Sequence, residues 1–546
     1  MSHDREDNTG ASPSDRRATD RAAITEGRTA LGIELGSTRI KACLVHQDEP
    51  SRVLAVGSHE WENSLIDGVW TYALEDVWSG LQAAFASLSA DAAQRHGARV
   101  ETLGAIGISA MMHGYLALDE NDELLVPFRT WRNTSTGRAA EELTQRFGVN
   151  IPLRWSIAHL YQAILDDEPH VPNVRTLTTL AGYVHGRLTG RAVLGVGDAS
   201  GMFPIDPETA DYDVALRETF DAMVAPRHPG LRLADVLPEV LVAGTPAGTL
   251  TADGATLLDP TGALRPGAVF CPPEGDAGTG MVATCSVTPR TGNVSAGTSI
   301  FAMVVLERAV RTAHAELDIV TTPAGDPVAM VHCNNGASEL GAWAGLFGRF
   351  AAATGGALEP DVVFEALLGE ALAGETDAGG LLAYNQLSGE PIAGLAQGRP
   401  LVVRTTESRL TLANLMRAQV YGVFATLTLG MRVLAEEEVG LDRMFAHGGL
   451  FRTAGAAQRL LAGALDAPVA VAATAGEGGA WGIAVLAAYL RDASQRDLDT
   501  YLHEQVFRDA VFDVVEPDPA DVAGYAVYLD RYAAGLEIER RAVEVV

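Results

Sequence analysis

The stretch Gly32-Ile33-Glu34-Leu35-Gly36-Ser37-Thr38-Arg39-Ile40-Lys41 sets apolar residues on both sides of a Gly-Ser-Thr turn. With its flanks, Leu31 to Val45, it reads as a β-hairpin. Gly36 lets backbone N–H groups come close to a polyphosphate, because no Cβ intervenes. Ser37 and Thr38 add hydroxyl donors. Glu34, two residues before the glycine, is spaced to face a metal ion bound to such phosphates. Gly-Ser-Thr hairpins without ligands are common, so the weight comes from repetition. Thr291 to Leu306 runs Gly292-Asn293-Val294-Ser295-Ala296-Gly297-Thr298-Ser299 and then an apolar strand. Two such turns predict two similar α/β halves that grip a nucleoside triphosphate from opposite sides of a cleft. The halves are expected to part near Leu264 to Phe270.

Working outward, Val53 to Glu60 reads as a third strand and Leu103 to Ile108 as a short buried one. Leu74 to Leu88, Arg138 to Phe147, Ile157 to Leu165 and Leu177 to Leu188 have helical spacing, as do Leu410 to Glu437, Ala454 to Leu465, Gly478 to Leu490 and Val522 to Val546. Residues 1 to about 28 show no apolar periodicity and read as a disordered tail. The chain has 546 residues, too many for one core.

Composition excludes several classes. Lys41 is the only lysine; all other residues in the Lys+Arg total of 40 are arginines. Lys41 lies between Ile40 and Ala42, so no Gly-Lys-[Ser/Thr] phosphate loop exists. The formal charge of −30 argues against nucleic-acid binding. No apolar run is read as a membrane span. Cys43, Cys271, Cys285 and Cys333 form no Cys-x-x-Cys pair and read as buried thiols of a reducing, cytoplasmic compartment.

Further motifs carry chemistry. In Glu274-Gly275-Asp276-Ala277-Gly278-Thr279-Gly280, Asp276 follows a strand-like segment and precedes a helix-like one. It is either a helix N-cap or a general base in the cleft, accepting a hydroxyl proton as phosphorus is transferred. Ser109-Ala110-Met111-Met112-His113-Gly114 follows a buried strand, where ligands collect in α/β folds. Trp131 beside Arg132 and Asn133 suits a sugar ring, with core packing as the alternative. His447-Gly448-Gly449-Leu450 and Glu477-Gly478-Gly479-Ala480-Trp481-Gly482 place glycines where backbone can approach a flat ring, or where helices pack closely.

In this order the motifs resemble the FGGY family of carbohydrate kinases, within the actin-like ATPase superfamily. The resemblance runs from about residue 30 to 540. It implies an α/β fold of two actin-like (ribonuclease H-like) domains facing each other across a catalytic cleft, spanning 29–267 and 268–546. It implies ATP and Mg²⁺ as cofactors and a small-molecule sugar as partner, with no nucleic acid and no membrane; a homodimer is compatible with it. Gly36, Ser37, Thr38 and Lys41 resemble the first phosphate loop. Gly297, Thr298 and Ser299 resemble the second, and Gly448, Gly449 and Leu450 the adenosine segment. Asp276 resembles the catalytic aspartate, also facing the sugar, and Gly197-Asp198-Ala199-Ser200-Gly201 is similar to the family's Asp-Ala-Ser segment. Met112, His113, Trp131 and Asn133 are implied sugar contacts, and Glu34 the metal ligand.

Two positions depart from the pattern. Glu34 stands where the family has Asp, and Asn133 stands in a segment that usually reads Trp-x-Asp-x-Arg. Met112-His113-Gly114 is similar to the Gln-Met-His-Gly of xylulokinases, whereas the overall texture also suits ribulokinases. The implied reaction is therefore phosphorylation of D-xylulose or L-ribulose to the 5-phosphate. The alternatives are another polyol or sugar, a non-catalytic ATP or sugar sensor on the same fold, and an actin-like ATPase acting on a protein.

Overall fold

The computed structural model describes residues 13–451, 455–472 and 478–546. Helix α1 (Pro13–Glu26) precedes β1 (Thr29–Leu35), β2 (Arg39–His46), β3 (Glu49–Glu60), α2 (Leu74–His96) and β4 (Ala105–Ala110). Much later come β5 (Val269–Phe270), β6 (Glu274–Gly275) and α3 (Asp276–Ala283). The strands form a six-stranded sheet ordered β5-β4-β1-β2-β3, with β6 also paired to β4. The first three strands are antiparallel, and β4 is parallel to β1.

A second sheet repeats this plan. It contains β7 (Thr291–Ala296), β8 (Ile300–Val305), β9 (Asp318–Thr321) and β10 (Pro327–Cys333), then β11 (Arg443–His447), β12 (Val469–Ala472) and β13 (Phe512–Val515). The order of its seven strands is β9-β10-β8-β7-β11-β12-β13. Again a turn-linked antiparallel pair, β7 and β8, leads the sheet, and β11 and β12 run parallel to β7. The two expected hairpins thus head two like-built lobes.

Period-two alternation explains how β1 is held. Leu31, Ile33 and Leu35 join the apolar cluster that α2 covers with Val77, Leu81 and Ala84. The other face, Ala30, Gly32 and Glu34, meets helix α4 (Gly478–Tyr489). A Cβ on Gly32 would lie 2.1 Å from the Ala480 carbonyl oxygen, so only glycine permits this approach. In the second lobe the helices Leu412–Glu436 and Pro519–Val545 pack a tyrosine-rich core that includes Tyr421, Tyr525, Tyr528 and Tyr532. Leu412–Glu436 is the one helix among the described residues long and apolar enough to cross a membrane, and 78% of its most apolar window is buried in this core.

Two expectations need correction. The tail is helical from Pro13 to Glu26: Ala23 and Ile24 are buried, and Asp20 pairs with Arg52 at 2.7 Å. With so few apolar residues the helix carries no stripe to read, and tertiary ion pairs anchor it instead. Residues 1–12 lie outside the described residues. The 267/268 division is also crossed, because β5 and β6 hydrogen-bond to β4 of the first sheet and α4 packs on β1. A short apolar strand carries no mark of the sheet it will join.

Candidate active site

A cavity of ≈ 240 Å³ opens between the lobes. The first lobe lines it with Ser37, Met112, His113 and Trp131, the start of α3 with Asp276, and the second lobe with Ser299. Six residues singled out from the sequence therefore meet in one place.

Asp276 is the first residue of α3, and Gly275 holds the N-cap position. Its Oδ1 accepts the Met112 N–H at 3.1 Å. That bond fixes the carboxylate against the Met112-His113 segment. Burial raises its proton affinity above the usual carboxylate range, opposed by backbone N–H bonds. A raised carboxylate at a helix start, aimed into a cleft, suits general-base work.

His113 adopts a left-handed backbone (φ +71°), a costly conformation for a side-chain-bearing residue. Its Nδ1 lies 3.2 Å from the Gly201 carbonyl, which can only accept, so Nδ1 carries the proton and Nε2 presents a lone pair. Burial, then the nearby Arg154 guanidinium, keeps the ring neutral. Gly201 is required here, since a Cβ would lie 2.6 Å from Nδ1.

The Asp-Ala-Ser segment works behind the cavity. Glu274 Oε2 accepts the Asp198 N–H at 3.0 Å, and Thr179 Oγ1 donates to Asp198 Oδ2 at 2.6 Å. Cβ atoms on Gly195 and Gly197 would lie 2.1 and 2.4 Å from the Glu274 carboxylate. Burial pushes Asp198 up to about 7, and the Asp276 charge adds to this against the Thr179 bond. Native Asp198 therefore holds a proton that the unfolded chain releases near the ordinary aspartate value, so stability falls as pH rises from about 4 to about 7. Asp198→Asn removes this loss. The variant's melting temperature relative to the parent is expected to climb across that window and level off above it; a pH-independent difference would contradict the assignment.

The two turns are built alike. Gly36 N–H donates to the Arg39 carbonyl at 3.1 Å, and Gly297 N–H to the Ser299 carbonyl at 2.9 Å. Both glycine amides, expected to meet phosphate, are thus used inside their own turns. Turn carbonyls are tied as well: Trp61 Nε1 bonds Gly36 O at 2.7 Å, and the Tyr72 hydroxyl bonds Ser37 O at 2.6 Å. The amides and hydroxyls of Ser37, Thr38, Thr298 and Ser299 have no acceptor among the described residues and remain available to an anion.

Glu34 and Lys41 are cross-strand partners, with Nζ 3.8 Å from Oε2. Glu34 lies at the start of α4, where a Cβ on Gly479 would come within 2.5 Å of its Oε1. Burial pushes Glu34 up to about 7, offset by Lys41 and increased by Asp276. A buried carboxylate raised by the charge of a second one fits a divalent cation.

Gly448 (φ +102°) packs its backbone on the second turn; a Cβ would lie 2.5 Å from the Ala296 carbonyl oxygen. Gly449 is exposed beside open space. The Leu450 side chain, by contrast, is buried in the second-lobe core, so it does not face a nucleotide. Glu477 lies outside the described residues.

Asn133 is also corrected. Its Oδ1 accepts the Trp70 N–H at 2.9 Å, and its Nδ2 donates to the Trp70 and Thr130 carbonyls at 2.8 and 3.0 Å. The amide clamps two backbone segments, and both of its N–H donors are spent on them.

Sequence reasoning missed Arg154, Phe301, Met330 and His332, which also line the cavity. Phe301 and His332 are register partners on β8 and β10, and Met330 shares the His332 face by the two-residue period. That alternation was the available signal. Arg154, in a loop before helix Ser156–Leu165, carried none.

Residues 29–261 match the N-terminal domain of the FGGY family of carbohydrate kinases, and residues 292–491 match its C-terminal domain. A xylulose kinase of Lactococcus lactis is 24% identical over 207 residues, 35% of this chain and 39% of that protein. The chain thus matches about two-fifths of the length of this curated relative. A gluconate kinase structure from Lactobacillus acidophilus superposes with TM-score 0.76 at 17% identity, covering 95% of this chain and 98% of that one. A ligand-bound xylulose kinase from the same organism gives 0.74 at 18% identity, with the same coverage of both chains.

Proposed function

Since the chain belongs to the FGGY family of carbohydrate kinases, we propose that it transfers the γ-phosphoryl group of ATP to a sugar hydroxyl, with a ketopentose, D-xylulose or L-ribulose, as acceptor and the 5-phosphate as product. The observation that carries this reading is the single cavity in which Asp276, His113 and Trp131 lie beside Ser37 and Ser299 of the two turns.

In this reading the Asp276 carboxylate takes the proton of the attacking hydroxyl while the new O–P bond forms and the bond to the ADP oxygen breaks. His113 Nε2 accepts a sugar hydroxyl, and Trp131 covers the carbon skeleton. The free amides and hydroxyls of Ser37, Thr38, Thr298 and Ser299 hold the phosphates from both sides. Glu34 would hold Mg²⁺, which supplies charge neutralisation on the phosphates when bound. The lobes exclude water that would otherwise compete as acceptor. The four cysteines are buried and form no disulfide among the described residues, which supports a reducing compartment.

The test is ADP release from ATP with a panel of ketopentoses, polyols and aldoses. Release that depends on a ketopentose is expected. Release dependent only on a polyol would move the substrate class, and sugar-independent release would favour an ATPase.

A further inference from the structure

Arg154 is the only lysine or arginine among the described residues lining the cavity. The first lobe carries it, yet its Nη2 donates to Asp318 Oδ2 at the head of β9 in the second lobe. Asn150 reinforces the contact, donating from Nδ2 to Asp318 Oδ1 at 3.3 Å and to the Leu317 carbonyl at 3.0 Å. Both charged side chains are largely buried, at 19% and 11% exposure. A guanidinium has five N–H donors in a rigid fork. Asp318 engages one side of the fork, and the remainder is left to the cavity that Arg154 lines. His113 and His332 are both held neutral by burial and by Arg154 itself, so neither adds a second cation.

The fixed charges around a bound sugar are thus one guanidinium, the carboxylate already bonded to it, and Asp276. A sugar carboxylate entering here would have to share a cation with Asp318 in a poorly solvated space, which is costly. A hydroxyl or carbonyl oxygen accepts the same N–H donors without that cost.

We propose that Asp318 neutralises the cavity's guanidinium so that the site selects uncharged sugars over sugar acids, with Arg154 and Asp318 together setting the choice. This rests on the sugar-site reading above and deepens it.

Calorimetric titration of the full chain with D-xylulose, L-ribulose and a five-carbon aldonate tests it on the parent, Asp318→Asn and the double variant Arg154→Met/Asp318→Asn. The parent is expected to bind a ketose more tightly than the aldonate. Asp318→Asn frees the guanidinium and should shift the affinity ratio toward the aldonate by about tenfold or more, the scale of a hydrogen bond between charged groups. The double variant should lose that shift. Asp318→Ser carries the same prediction if Asn impairs folding, as judged by melting temperature. A parent that binds the aldonate as well as the ketose, or an unchanged ratio in Asp318→Asn, overturns the inference. Because binding is read without turnover, a parent that binds a ketose yet makes no sugar phosphate sinks the kinase reading alone. A parent that binds none of the sugars sinks both.

Discussion

Asp276→Asn is expected to lower kcat by about 10²- to 10⁴-fold, the usual contribution of a positioned general base. The substitution is nearly isosteric, and the Met112 N–H that now bonds Oδ1 at 3.1 Å can bond the amide oxygen in the same place. The cavity wall and the two turns therefore stay intact, and ATP and sugar affinities should change little. What disappears is the group able to take the hydroxyl proton. Steady-state kinetics with separate binding measurements check this. A large loss in sugar affinity with kcat preserved would make Asp276 a binding residue only. Near-normal turnover would remove it from the chemistry.

The second large effect is on architecture. Gly482 lies in α4 directly against the backbone of α3, where a Cβ would be 2.1 Å from the Thr279 carbonyl oxygen and 2.9 Å from its carbonyl carbon. Backbone atoms cannot rotate away as a side chain does, so the helices must separate. Overpacking of this kind costs about 1–3 kcal/mol or more. Thr279 is three residues after Asp276 in the same short helix, and its hydroxyl lies 3.1 Å from that of Ser109 at the end of β4. Gly482→Ala is therefore expected to lower both melting temperature and kcat, since moving α3 moves the base. Gly449→Ala, which meets open space, should leave melting temperature unchanged. Equal stability of the two variants would contradict the close packing of α4 on α3.

Much of this fold was legible because strand alternation is local. Leu31 to Val45 and Thr291 to Leu306 announce hairpins by pattern and turn chemistry alone, and the two lobes follow from their repetition. Pairing partners were not legible. Val269–Phe270 and Glu274–Gly275 join the first sheet by tertiary contact, which their few residues do not encode. In the site, Asp276 and His113 could be found from motif context, as each stands beside a glycine, and Trp131 from the polar residues that follow it. Asn133 misled for a physical reason: a polar residue next to a tryptophan reads as a ligand contact, yet its amide satisfies the Trp70 and Thr130 backbone. Arg154 and His332 were invisible because their chemistry arises only when a loop of one lobe meets a sheet of the other.

The single lysine gains a definite place. Lys41 is the cross-strand neighbour of Glu34, close to Gly478 at the start of α4. A compact ammonium fits that corner beside a buried carboxylate better than a planar fork would.

The most direct test of the central claim is to follow the γ-phosphoryl group of ATP by phosphorus NMR in the presence of a ketopentose. A sugar 5-phosphate resonance is expected to grow with ADP and to be abolished in Asp276→Asn. Inorganic phosphate accumulating at the same rate with and without sugar, and unaffected by that substitution, would contradict it.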